Sequence, residues 1–130
     1  MNRLFIYIKL ASGLTLSGVA YVFGGIDKLF TTLLILMAFD YITGVMCAII
    51  KKSLSSKTGF KGIFRKLCIL IIIALSNLGA DAIGIPALRS AAIGFYIANE
   101  SISILENAGE LGVPYPKWLK DALIQLKNKK

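Results

Sequence analysis

A chain of 130 residues, 56% hydrophobic and only 17% charged, lies outside the composition of soluble domains and has room for one folded unit. Its net charge of +8, with no histidine, brings nucleic acid to mind, but the cations lie between and after the apolar runs, as basic loops facing anionic lipid do. Composition thus argues against a soluble enzyme or a nucleic-acid reader and predicts an all-α integral membrane protein. Three to four transmembrane helices are expected, four being favoured, plus a C-terminal interfacial amphipathic helix.

The first element, residues 4–23, is about long enough to cross a bilayer. It carries Lys9, Ser12, Gly13, Ser17 and Gly18, so a crossing helix and an interfacial helix both stand as readings. A cleaved signal peptide fits less well, because Lys9 interrupts the apolar region and only Arg3 supplies charge ahead of it. Residues 29–50 form the clearest span, about 22 residues at 1.5 Å each against roughly 30 Å of hydrocarbon. Asp40 stands in its middle, where an ionised carboxylate costs at least about 3 kcal/mol. It therefore calls for a partner, with Asn77, Arg89 or Asn99 as candidates. Thr43 and Gly44, about one turn on, supply a hydroxyl and a surface for close helix approach.

Residues 51–66 read as a basic cytoplasmic loop containing Lys51, Lys52, Lys61, Arg65 and Lys66 and no acid. A second clear span, 67–84, turns polar at Ser76, Asn77 and Asp81 and ends in the turn signal Gly84-Ile85-Pro86. The next helix, 87–107, follows at once, so the two form a hairpin in which Asp81 and Arg89 are expected to pair. At 100° per residue, Arg89, Tyr96, Asn99, Glu100, Ser103, Glu106 and Asn107 share about a third of its circumference, and Glu110 extends the stripe. Polar residues in such a helix face a bundle interior or a water path. Helix packing and pore lining use the same residues, and both readings remain open. Residues 112–130 form a basic cytoplasmic tail. Within it Pro116 starts a short helix with Trp118, Leu119, Ala122, Leu123 and Leu126 on one face. Lys51, Lys52, Lys61, Arg65, Lys66, Lys117, Trp118 and Lys120 are the expected lipid-interface anchors.

Catalytic readings fail on inventory. The sequence has no histidine, GxSxG, P-loop or HExxH, and its acids are not arranged as a catalytic pair. Cys47 and Cys68 lack metal-ligand spacing and read as two apolar thiols. No catalytic residue, cofactor site or metal site is expected.

Four motifs in order, Asp40-Tyr41-Ile42-Thr43-Gly44, the basic stretch 56–66 with Gly59, Gly62 and Arg65-Lys66, the run 99–107 beginning Asn99-Glu100, and Gly112-Val113-Pro114-Tyr115-Pro116, together resemble the toxin secretion/phage lysis holin family. The resemblance covers residues 29–126. It implies a small phage-encoded protein of the bacterial cytoplasmic membrane that self-associates and opens lesions, letting an endolysin through without necessary direct contact. Some relatives implied by it serve toxin release instead. Asp40, Thr43, Gly44, Asn99, Glu100, Ser103, Glu106 and Asn107 carry over as structural or pore-lining positions. The expected partners are further copies of the chain and anionic membrane lipids, with no nucleic acid; an export channel for a toxin or other protein cargo is the alternative, and a purely structural membrane adaptor is a third.

Overall fold

The computed structural model describes residues 2–128. Met1, Lys129 and Lys130 lie outside the described residues, and with them the last two cations of the tail. Five helices follow in order: α1 (Arg3–Phe23), α2 (Lys28–Ile50), α3 (Ser56–Ile83), α4 (Ala87–Glu110) and α5 (Lys117–Asn128). No strand occurs among the described residues.

The helix limits have local causes. The Asp27 carboxylate accepts the Phe30 N–H at 3.0 Å and the Ser55 hydroxyl accepts the Thr58 N–H at 3.1 Å, satisfying first-turn donors of α2 and α3. Gly84 closes α3 in the left-handed region at φ 71°, where a side chain is strained. Ser55 also overturns one expectation. Residues 51–66 are not a loop throughout, because the cap starts α3 inside that basic stretch. Lys66 then continues the face of Ile73, Asn77 and Ala80, which point into the bundle.

Three helices, α1, α2 and α3, are long and apolar enough to cross a membrane. The 24-residue α4 has the length but not the apolarity, and its position explains how this is tolerated. It packs against both α2 and α3, which scarcely touch each other, so it is the middle helix of the bundle. Phe30, Leu33, Met37, Ile73 and Ile93 form a small core where these three meet. Large side chains elsewhere, such as Ile71 and Leu75, face outward; lipid is as apolar as they are, so exposure to it carries no hydrophobic penalty.

α1 is peripheral. None of its residues is buried, and its middle hydroxyls, Ser12, Thr15 and Ser17, each donate to a carbonyl four residues back at 2.8–2.9 Å. These three hydroxyls are thereby satisfied within the helix, as a lipid surround requires.

Candidate functional site: a charge cluster in the bundle

The stripe on α4 turns inward. Glu100 is only 2% exposed and its carboxylate accepts from the Lys66 ammonium of α3 at 2.7 Å. The same ammonium reaches Asp40 of α2 at 2.8 Å, so one cation joins three helices. Asn107 completes the site from α4. Its amide donates to the Asp40 carboxylate at 3.2 Å and to the Thr43 hydroxyl at 2.9 Å, while the Thr43 hydroxyl donates to the Phe39 carbonyl at 2.8 Å. Gly44 lies beside this amide, at ordinary contact distance for an added Cβ. Tyr41 leans on α3, its hydroxyl donating to the Gly59 carbonyl at 3.4 Å and its ring against Gly62, where a Cβ would come within 3.3 Å.

Two sequence expectations change here. Lys66, expected among the lipid-interface anchors, lies inside the bundle because helical α3 carries it to the buried face. Asp40 finds its ionic partner in Lys66 and its amide partner in Asn107, rather than in Asn77, Arg89 or Asn99. The signal was present in the seven- and eleven-residue steps from Lys66 to Ile73 and Asn77, which hold one helical face. Reading the cations as a loop interrupted that period.

The opposite end of the bundle holds a second polar group. Asn77, 5% exposed, donates to the Tyr21 and Val22 carbonyls at 3.2 and 2.9 Å. Arg89 donates from Nε to the Phe23 carbonyl at 2.7 Å and from Nη2 to the Gly25 carbonyl at 3.1 Å. Its two terminal nitrogens also grip Asp27 in a fork, at 2.8 and 3.1 Å. The expected pair of Arg89 with Asp81 is therefore replaced by Arg89 with Asp27. Asp81 is exposed on α3, whereas the free carbonyls ending α1 attract the guanidinium toward Asp27. The Arg89 hydrogen bonds hold the Asp27 carboxyl below the ordinary aspartate range.

The remaining expected residues spread outward. Tyr96 packs beside the small core and meets the Phe95 ring edge-on at 5.1 Å. Asn99 and Ser103 are half-buried and line an open cleft of about 1330 Å³ beside Lys66. Glu106 is exposed, 3.7 Å from Lys120 of α5, and Lys51 pairs with Glu110 at 2.9 Å where α2 and α4 end. Lys52, Lys61, Arg65 and Lys117 are exposed, as is Trp118 at 70%.

A cation shared by two carboxylates in an apolar bundle, with amides and hydroxyls taking up further valences, is an arrangement for holding helices together. A profile of the bacteriophage holin family matches residues 17–128, and the chain belongs to that family. With its apolar helices, it is a membrane protein of the holin type. An uncharacterized protein of Clostridium perfringens is 38% identical over 131 residues, covering 99% of this chain and 97% of the relative. An uncharacterized 14.9 kDa protein from the nagH 3′ region of the same species is 42% identical, covering 85% of each chain. An uncharacterized protein of Listeria monocytogenes is 41% identical over 80% of this chain and 75% of its own. No solved structure matches.

Proposed function

We propose that the protein is a holin that accumulates in the cytoplasmic membrane of a bacterial host, associates with copies of itself and opens lesions that release an endolysin. The observation that carries this reading is the inward closure of the α4 stripe on Lys66 and Asp40. A single copy then keeps these polar groups satisfied in lipid. When copies associate, the stripe exchanges those internal partners for neighbouring copies and water, which couples assembly to opening.

Orientation follows from the cations. Lys51, Lys57, Lys61 and Arg65 gather where α2 ends and α3 begins, and Lys120 joins them through Glu106 near the end of α4. The preference of cytoplasmic loops for lysine and arginine puts that end, and the C-terminus, inside the cell.

The test is inducible expression in a bacterium with and without a co-expressed endolysin, following viability and membrane potential. Abrupt depolarisation after a delay, with lysis only when endolysin is present, is the expected result. Continued growth at full potential overturns the reading. Release of a protein cargo from cells that stay viable would assign an export channel instead.

A further inference from the structure

The ion pairs among the described residues engage Lys51, Lys66, Arg89 and Lys120. Lys57, Lys61 and Arg65 have no acid in contact. They recur every fourth residue, which sets them along one edge of α3, and all three are exposed. The same three residues line the cleft of about 1330 Å³ between α2 and the first half of α3. Its walls include the apolar Val45, Leu54, Phe60 and Phe64, and Asn99 and Ser103 of α4 lie at the polar side. At 1.5 Å per residue the 28-residue α3 spans about 42 Å against roughly 30 Å of hydrocarbon, so its first turns reach headgroup depth.

We propose that this cleft binds one anionic phospholipid, its phosphate on Lys57, Lys61 and Arg65 and an acyl chain along the Val45, Leu54, Phe60 and Phe64 wall. Charge complementarity selects this occupant. A second copy of the chain offers little free negative charge at this end: Asp27, Asp40, Glu100, Glu106 and Glu110 are already paired and Asp81 lies at the other end of the bundle, which leaves Asp121 alone against three free cations. A lipid headgroup brings a phosphate, and the chain beneath it suits an apolar wall that water would not fill. The cleft borders the α4 stripe, sharing Asn99 and Ser103 with it, but lipid binding is measured without reference to lysis, so it stands or falls apart from the holin reading.

The experiment titrates the purified full-length protein in mild detergent with phosphatidylglycerol and phosphatidylcholine of equal chain length, counting retained lipids by native mass spectrometry. One phosphatidylglycerol per chain is expected, in preference to phosphatidylcholine. The triple variant Lys57→Gln, Lys61→Gln, Arg65→Gln should weaken that binding roughly a hundredfold, given the usual contribution of a basic residue near anionic lipid. Removing the same charge elsewhere, with Lys9→Gln, Lys28→Gln and Lys127→Gln, should leave it nearly unchanged. The charge-conserving set Lys57→Arg, Lys61→Arg, Arg65→Lys should retain binding and controls for folding. Equal losses in both glutamine triples, or no preference in the unaltered protein, would overturn the proposal. So would displacement of the lipid by equimolar glycerol phosphate or by an acidic peptide, which would assign a free phosphate or a protein partner.

Discussion

Lys66 answers two carboxylates, so the cluster it forms with Asp40 and Glu100 has one more acidic than basic group. Removing one partner of a buried ion pair costs about 3–5 kcal/mol, whereas polar contacts between membrane helices average about 0.6 kcal/mol. Lys66 should therefore outweigh Asn107 in holding the resting bundle, despite the greater number of hydrogen bonds Asn107 makes. Lys66→Met leaves Asp40 and Glu100 unanswered, and thermal unfolding in detergent should begin at clearly lower temperature. In cells this variant should depolarise the membrane earlier than the unaltered protein. Glu100→Leu acts the other way. It leaves Lys66 and Asp40 as a one-to-one pair and removes the centre of the stripe, so the protein should insert but lysis should fail. If both variants keep normal timing in a lysis assay, the cluster has no part in opening.

Among the elements, α1 is held chiefly by its last residues. Gly24 has φ 78°, and a Cβ there would collide with Asn77 and stand 2.7 Å from the Arg89 Nε. Gly24→Val should free α1 from the bundle, read as faster proteolysis or hydrogen exchange of residues 3–23 with the α2–α4 core still protected. The tie between Asp27 and Arg89 adds an acid dependence. Its pKa is lowered in the fold, so the stabilisation is present above the ordinary value of 3.8 and is lost as pH falls through the lowered one. Hydrogen exchange in residues 3–23 should accelerate over that acid range, and Asp27→Asn should remove the dependence. The elements were unevenly legible in the sequence. Continuous apolar runs revealed α2 and the second half of α3, and the 3.6-residue period revealed the α4 stripe. The first turns of α3 were hidden because their cations read as a solvated loop, while the helix depends on the Ser55 cap and on Tyr41 against Gly59 and Gly62. For α5, Pro116 signalled the start and the apolar spacing signalled a helix. Its contact with α4, which leaves Leu119 and Leu123 half-buried while Trp118 and Leu126 stay exposed, required the tertiary fold.

At the scale of the whole molecule, Lys66, Asp40 and Glu100 satisfy one another inside the bundle while large apolar side chains cover its flanks, the reverse of a soluble bundle, and the free cations Lys57, Lys61 and Arg65 gather at one end. The partners missed by sequence reading, Lys66 for Asp40 and Asp27 for Arg89, were both set by the meeting of distant helices, which local periodicity does not encode. The proposed orientation can be checked in intact cells. With Cys47→Ala and Cys68→Ala as background, Ile85→Cys at the exposed turn between α3 and α4 should react with a membrane-impermeant maleimide. Lys57→Cys at the basic end should react only after the cells are opened. Reversed labelling would invert the topology and place the C-terminus outside.

The position of Lys66 along α3 also has a mechanical meaning. Lys66 and Asn77 pin the rod at two points, and about 15 Å of helix projects beyond the first pin, steadied mainly by the ring of Tyr41. That projecting length is a cantilever. A load applied near Ser56 is delivered as torque at Lys66 before it reaches Asn77, so the anchorage joining three helices is also the point where leverage is greatest.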